Sequence, residues 1–301
     1  MAPRPLLQDK IFLTDSGLET DLIFNEGVDL PDFAAFPLLG TAEGRQRLRA
    51  YFIRHIAVAR RAGVGFVLEA PTWRANPDWG ARLGYDAGAL ATANRNAVEL
   101  LADVCEAFEG TEMLLSGCVG PRGDGYRPEA AMTADHARAY HQAQVDAFAA
   151  AGADLVTAMT MTTVAEGLGI ARAAERAGLP SVVSFTVETD GNLPDGTALA
   201  DAIAAVDADT PPDYFMINCA HPDHFAGRLD GEWTARVRGV RANASRRSHA
   251  ELDEAVELDA GDPAELADDY VRLRKALPNL NVLGGCCGTD VRHVAAIAAA
   301  L

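Results

Sequence analysis

Eight short apolar runs recur along this sequence, and stretches with helical periodicity separate them. Continuous apolar runs of this length are typical of strands buried on both faces, as in a parallel sheet. Strands that alternate with helices eight times predict an α/β fold, a single-domain (β/α)8 TIM barrel over residues 1–301, with an open doubly wound sheet as the alternative. The eight predicted strands cover residues 11–13, 65–68, 113–116, 155–158, 181–185, 214–217, 237–240 and 282–283.

The helical stretches between these runs carry start and stop signals. Leu48, Phe52 and Ile56 repeat every four residues ahead of Gly63, and glycine is typical of helix ends. Pro263 begins a later helix, as proline often does at a first helical position. The other predicted helices cover residues 94–108, 133–152, 164–177 and 293–301.

Composition and charge exclude several classes of partner. The chain has 301 residues, of which 49% are hydrophobic and 23% charged, as in ordinary globular proteins. Its formal net charge is −17, which argues against nucleic acid or an anionic membrane as a partner. No apolar run approaches the ~18 residues that would span a bilayer.

The cysteine count and the amino-terminal residues indicate a compartment. Five cysteines, an odd number, do not suggest a disulfide framework. The first nine residues lack the apolar region of a signal peptide. We therefore expect a cytoplasmic protein.

The densest motif is Leu-Gly-Gly-Cys-Cys-Gly-Thr at residues 283–289. Neighbouring side chains of a strand point to opposite faces, but glycines on either side let the backbone turn both thiols inward. A third thiol, Cys219, also follows an apolar run. Three thiolates favour zinc over hard cations, and a fourth position left open is typical of a catalytic site. We therefore predict a Zn²⁺ site formed by Cys219, Cys286 and Cys287.

Other interpretations of these cysteines remain open from the residues alone. Cys286 and Cys287 fit small core residues, since free cysteine is often buried, or a strained vicinal disulfide. His221 and His224 near Cys219 fit a mixed cysteine–histidine metal site.

The Gly-Gly-Cys-Cys-Gly-Thr motif and the Asn218-Cys219 pair resemble the zinc-dependent homocysteine S-methyltransferase family. The resemblance implies an enzyme that moves a methyl group from a sulfonium or quaternary ammonium donor to a zinc-activated thiol. It implies homocysteine as the leading acceptor and methionine as the product. No catalytic group beyond the metal site is implied, because a zinc-bound thiol is deprotonated without a general base.

The resemblance also implies where the substrates bind. Asp15, after the first strand, matches a family aspartate expected to bind the polar end of the substrate; a structural carboxylate is the alternative. Trp73 stands where the family has tyrosine, as a cavity wall or as plain packing. Thr160 and Asn218 also match family positions, and we expect them to bind substrate as well. Glu19 departs from the family pattern, which has a small residue there.

The acceptor site departs from the family at one further position. After the fourth strand the family shows glutamate followed by threonine, where this chain has Met159-Thr160. Methionine cannot balance the charge of the acceptor's ammonium group. We therefore expect Glu19 or Glu69 to supply the missing carboxylate.

Two other functions remain open from the sequence. The first is a methyltransferase for another small thiol or selenol, and the second is a non-catalytic zinc or thiol sensor. Residues 241–262 predict a long loop after the seventh strand, either solvated or covering the substrate.

Overall fold

Each of the eight apolar runs forms a strand of a closed parallel barrel, in the order β1 to β8 with β1 paired to β8. The structure, a computed structural model, describes residues 10–127 and 132–301; the opening nine residues lie outside this range. The (β/α)8 fold predicted from the sequence is thus confirmed. The strands are β1 Phe12–Leu13, β2 Gly65–Glu69, β3 Met113–Val119, β4 Leu155–Met161, β5 Ser181–Phe185, β6 Tyr214–Asn218, β7 Val237–Ala242 and β8 Val282–Gly285.

The helices pack around the barrel, and several begin and end where the sequence predicts. Thr41 caps the helix before β2 by accepting a hydrogen bond from the Gly44 amide, and Gly63 ends it in the left-handed region at φ 70°. The α-helices of the described residues are α1 Leu18–Thr20, α2 Ala42–Ala62, α3 Pro77–Arg82, α4 Ala87–Glu106, α5 Ala134–Ala150, α6 Val164–Ala177, α7 Leu199–Asp207, α8 Pro222–Phe225, α9 His249–Asp253, α10 Pro263–Ala276 and α11 Val291–Ala299.

Two of the longer helices differ from the sequence prediction, and the short helices α1, α3, α8 and α9 were not predicted. α4 begins seven residues earlier than residue 94, because the Asp86 side chain accepts a hydrogen bond from the Ala89 amide and caps the helix there. α7 was not predicted, and no side chain caps its first turn. A short helix without a capping residue carries little local signal.

The barrel interior is filled at its amino-terminal end and open at the other. Seven buried residues form a cluster inside the barrel. Gly65 is needed there because a Cβ atom would lie 2.4 Å from the ring of Phe12. The carboxyl ends of the strands, where (β/α)8 barrels have their active sites, carry the residues predicted to form the site. The seven interior residues are Phe12, Val67, Leu155, Val182, Tyr214, Met216 and Val282.

β4 carries an irregularity that shapes the carboxyl end of the barrel. Its pairing with β5 shifts register between Ala158 and Met161, and Thr160 there has φ 65°. A β-branched residue in the left-handed region is strained, and such positions persist only where neighbours fix them. In the part of the chain that the structure describes, no helix is long and apolar enough to cross a membrane.

Candidate metal centre and substrate cavity

Three thiols converge where β6 and β8 end. The Sγ atoms of Cys219 and Cys287 lie 3.6 Å apart, and all three sulfurs, including that of Cys286, lie within 4.8 Å of one another. Sulfurs that share one tetrahedral zinc at ~2.3 Å are separated by roughly 3.8 Å. The donor set therefore fits a soft metal ion. All five cysteines are free thiols.

The backbone turns differ in part from the sequence prediction. Gly288 has φ 80°, as expected of a glycine that turns the chain after two cysteines. Gly285 serves a close approach instead, since a Cβ atom there would lie 2.0 Å from Thr289 Oγ1. At the end of β6 the cysteine itself turns the chain, because Cys219 has φ 57°. Its amide donates a hydrogen bond to the Arg241 carbonyl.

The thiols polarise one another. Hydrogen bonds from the thiols of Cys219 and Cys287, with a smaller contribution from the positive charge of Arg241, lower the pKa of Cys286. The hydrogen bond with Cys286 raises the pKa of Cys219, and hydrogen bonds with Cys219 and Cys286 raise the pKa of Cys287. Tyr126 Oη lies 3.5 Å from Cys219 Sγ and 3.7 Å from Cys287 Sγ. The tyrosine hydroxyl thus lies within contact distance of two of the three sulfurs.

A cavity of about 330 Å³ opens in front of these thiols. Seven acidic side chains line it, against two arginines, so its electrostatic potential favours a cationic ligand. Aromatic rings supply apolar surface suited to onium groups. The acidic residues are Asp15, Glu19, Glu69, Asp124, Asp253, Glu257 and Asp259; the arginines are Arg74 and Arg241; the aromatic residues are Phe24, Phe33, Trp73 and Tyr126.

Most of the substrate-binding residues predicted from the sequence lie on this cavity. Asp15, Glu19, Glu69, Trp73 and Thr160 line it. These positions are compatible with substrate contact; their roles stay predictions.

Asn218 lies behind the cavity, fully buried. Its Oδ1 accepts hydrogen bonds from the Thr160 amide at 3.0 Å and from Ser184 Oγ at 2.6 Å. Its Nδ2 donates to Thr160 Oγ1 at 2.8 Å and faces Cys286 Sγ at 3.8 Å. Asn218 thus braces the strained end of β4 against the thiols.

Asp15 forms an ion pair with Arg241, a residue that was not predicted from the sequence to belong to the site. Arg241 Nη2 lies 2.8 Å from Asp15 Oδ1, and the Tyr51 hydroxyl donates to Oδ2 at 3.2 Å. Burial raises the pKa of Asp15, and the charge of Arg241 opposes that rise. Arg241 also donates to the carbonyls of Ser16 and Gly285, which joins β7 to the ends of β1 and β8. An arginine that directly follows a buried run was the available signal.

Unlike Asp15, Glu19 and Glu69 form no ion pair with an arginine or lysine among the described residues. Burial raises the pKa of Glu19 to about 7, and the negative charges of Asp15 and Cys286 add to the rise. Burial also raises the pKa of Glu69. Oε1 of Glu69 accepts a hydrogen bond from Thr157 Oγ1 at 3.1 Å, whereas Oε2 is buried without a partner among the described residues.

Met159 lies on the cavity wall where the family pattern has glutamate. Its side chain is buried, and its carbonyl accepts a hydrogen bond from Trp73 Nε1 at 3.3 Å. The end of β4 therefore presents an apolar surface to the cavity. Trp73 is both a cavity wall and a brace for this strand end.

The segment after β7 covers the cavity. We call residues 245–259 the strap. α9 lies within it and begins with a capping box between Ser248 and Glu251. Leu252, Asp253 and Glu257 line the cavity. Of the two interpretations left open by the sequence, this placement supports the substrate-covering segment.

The two histidines after Cys219 belong to other contacts. His221 Nδ1 accepts a hydrogen bond from the Asp223 amide and caps α8. His224 Nε2 donates to the Arg246 carbonyl at 2.9 Å. The group of three thiols forms without either ring.

The family model and the curated relatives that match this chain are all homocysteine S-methyltransferases. Residues 51–301 match the family model for homocysteine S-methyltransferase. A homocysteine S-methyltransferase of Escherichia coli K12 is 26% identical over 253 residues, which span 79% of this chain and 80% of the relative. Homocysteine S-methyltransferase 4 of maize (Zea mays) is 28% identical over 178 residues, 56% of this chain and 51% of the relative.

The fold is similar to that of a homocysteine methyltransferase of known structure. The crystal structure of the homocysteine methyltransferase MmuM from Escherichia coli in an oxidised form has a TM-score of 0.78 at 24% identity and covers 99% of both chains. Its metallated form has a TM-score of 0.76 at 24% identity, over 98% of this chain and 99% of that one. At these identities the likeness establishes the barrel fold.

Proposed function

Because this chain belongs to the homocysteine S-methyltransferase family, we propose that it is a zinc-dependent enzyme that transfers a methyl group to the sulfur of homocysteine and forms methionine. The observation that supports this most directly is the group of three thiols, Cys219, Cys286 and Cys287, at the floor of an acidic cavity. The spacing of their sulfurs suits one zinc ion with a position left for an acceptor thiol.

The proposed reaction needs little acid–base chemistry from the protein. When bound, zinc lowers the pKa of a coordinated thiol, so that the acceptor sulfur is a thiolate at neutral pH. A new carbon–sulfur bond forms as the bond between the methyl carbon and the sulfonium sulfur, or the ammonium nitrogen, of the donor breaks. The bonding electrons leave with the donor, which becomes neutral at that atom. The chain's contribution is to align the two substrates and exclude water.

The cavity walls suit a cationic donor. Glu257 and Asp253 of the strap and Asp124 lie around the cavity together with the ring of Trp73. Carboxylates attract an onium group, and an aromatic face stabilises it at close range. We therefore propose a sulfonium or quaternary ammonium compound as the donor.

The acceptor's ammonium group requires a carboxylate, and we propose that Glu19 supplies it. Asp15 is paired with Arg241, Glu69 is the more deeply buried acid, and Met159 carries no charge. Glu19 is half-buried at the cavity wall, and its carboxyl has no arginine partner among the described residues. Glu69, with an unpartnered Oε2, is the second candidate for this role.

The apolar wall at Met159 favours one alternative acceptor. A small thiol or selenol without an α-amino group would not need the carboxylate that the family pattern has there. A non-catalytic zinc or thiol sensor is less well supported, because three thiols alone do not require an acidic cavity of this size. A cytoplasmic location and a role in methionine biosynthesis stay predictions.

Product mass spectrometry tests the proposal. Protein purified without chelator, and a sample stripped of metal, are incubated with a matrix of onium donors and thiol acceptors. Methionine formed from homocysteine by the metal-loaded sample alone is the expected result. Methylation of a thiol without an amino group in preference to homocysteine would favour the alternative acceptor. No methyl transfer by fully loaded protein with any pair would contradict an enzymatic role.

A further inference from the structure

His249, the first residue of α9, connects the strap to the metal centre through a ring contact. The imidazole is buried and stacks on Tyr126, with ring centroids 4.2 Å apart and planes inclined by 12°. Tyr126 in turn reaches two of the three thiols through its hydroxyl. A side chain of the covering segment therefore packs on the aromatic residue that lies over the sulfurs.

The same imidazole makes hydrogen bonds with both ring nitrogens. Nε2 lies 2.7 Å from the Cys219 carbonyl oxygen, and Nδ1 lies 3.0 Å from Glu188 Oε1. These two contacts, one on each ring nitrogen, fix the plane and the direction of the imidazole. Thr186 Oγ1 lies 3.4 Å from both Nε2 and the Cys219 carbonyl. The ring is thus oriented from three sides.

The carbonyl that His249 contacts belongs to a strained metal-ligand residue. Cys219 has φ 57°, a conformation that non-glycine residues adopt only where their surroundings impose it. Its amide is bonded to Arg241 and its carbonyl to His249. These two contacts hold the peptide on both sides of the Cys219 side chain. His249 is therefore one of the contacts that hold the backbone from which the Cys219 Sγ atom projects.

We propose that His249 is a positioning residue that ties closure of the strap to the geometry of the metal centre. The inference rests on the proposed function, since it concerns metal ligation by Cys219. The strap covers the cavity only when the imidazole is seated between Tyr126 and the Cys219 carbonyl. In that position the imidazole also holds Cys219 in its ligating conformation. Covering of the substrates and completion of the metal site then occur together.

Two substitutions separate the contacts of the ring. His249→Phe keeps a flat ring against Tyr126 but removes both hydrogen bonds. His249→Gln keeps a side-chain N–H for the Cys219 carbonyl but removes the stacked ring. His141→Gln is the matched control, because His141 is equally buried, lies 2.9 Å from Glu166, and does not line the cavity.

The readouts are cobalt affinity by chelator competition, the thiolate-to-cobalt absorption band, and hydrogen exchange of residues 245–259. For His249→Phe we expect roughly tenfold weaker cobalt binding, as is typical when a residue supporting a metal ligand is lost, with a shifted band. For His249→Gln we expect nearly normal cobalt affinity and faster exchange in the strap. His141→Gln should match the unmodified protein in all three readouts.

The outcomes distinguish this inference from the proposed function. Unchanged affinity, band and strap exchange in His249→Phe would overturn the inference while leaving the metal site intact. If the unmodified protein binds no cobalt, the proposed function fails, and strap exchange alone decides whether His249 anchors the strap. Should His249→Phe not fold, Glu188→Gln replaces it, since Glu188 is half-exposed and orients the same ring. A wild-type band and strap exchange in Glu188→Gln would then count against the inference.

Discussion

Single residues decide the charge of the cavity. Glu19 adds a carboxyl group beside the thiols, Met159 removes one from the end of β4, and Arg241 neutralises Asp15. The position of the remaining negative charge therefore differs from the pattern of the family. If Glu19 binds the acceptor's ammonium group, its loss removes a charge-assisted contact of ~1.5–3 kcal/mol, roughly a ten- to hundredfold change in binding.

The protonation of Glu19 gives a pH-dependent prediction. Its pKa of about 7 means that the carboxylate form prevails only above neutral pH. Methionine, the proposed product, has no thiol to ionise, so its binding reports on the protein. We expect its Kd to fall about five- to tenfold from pH 6 to pH 8, as the ionised fraction of a group with this pKa rises. Isothermal titration calorimetry measures the effect.

Glu19→Gln is the control for this dependence. The variant should bind methionine weakly at all pH values and show a flat profile. A profile that persists in Glu19→Gln assigns the role to another acid, and Glu69→Gln would then be the next variant to measure.

The metal ligands make a second prediction at the residue scale. Serine variants of Cys219, Cys286 and Cys287 should each lose most of the roughly one equivalent of zinc expected for a single site with these ligands. Cys105→Ser, a change at a half-buried cysteine outside the cavity, should retain it. Elemental analysis of protein purified without chelator gives the answer. Full retention in all three single variants would rule out the assigned site.

At the scale of elements, the turn after β8 sets the position of two adjacent thiols. Gly288 adopts φ 80°, and a Cβ atom there would lie 2.7 Å from the Asp259 carbonyl oxygen in the strap. This turn therefore contacts the strap as well as orienting Cys287. β4 contributes the second irregular strand end, which Asn218 braces.

Gly288→Val tests this turn. A side chain in the left-handed region costs about 1–2 kcal/mol wherever it occurs, and here it also clashes with the strap. Gly84 offers a matched control, since it has the same φ of 80° with open space around it. Both valine variants should lower the melting temperature to a similar extent, but only Gly288→Val should weaken zinc binding. Equal zinc affinity in the two variants would show that the turn does not determine the metal site.

At the scale of the whole molecule, charge and shape act together. The net charge is −17, and acidic side chains outnumber arginines seven to two around the cavity. A cationic donor, as proposed above, is attracted by such a field before it reaches the thiols. Salt screens attraction of this kind, because the Debye length falls from ~30 Å at 0.01 M to ~3 Å at 1 M.

The dependence on ionic strength follows from this field. The KM for a donor of net positive charge should rise several-fold between about 0.01 M and 0.5 M salt, whereas that for a donor of net zero charge should change little. Steady-state kinetics with a chloride salt, at fixed acceptor concentration, measure both. An equal salt effect on the two donors would argue against electrostatic attraction by the cavity.

The sequence by itself determined the barrel and the three thiols that meet at one end of it, because both follow from local patterns along the chain. Buried parallel strands need continuous apolar runs, so all eight strands were visible. Gly63 marked a helix end through its left-handed backbone, and Thr133 marked a helix start through its side-chain cap. Three cysteines that each follow a strand must converge once the barrel closes, since all strand ends meet at one rim.

Only the tertiary structure decided which groups face one another. The Asp15–Arg241 pair joins residues 226 positions apart, and the contact of His249 with Cys219 spans 30. Neither pair has a periodicity or spacing that a single sequence could reveal. The hydrogen bonds of Asn218 with Thr160 likewise span 58 positions, and the role predicted for Asn218 in substrate binding stays a prediction. Contacts of this kind depend on strand register and on loops packed across the rim, which become defined only when the barrel closes.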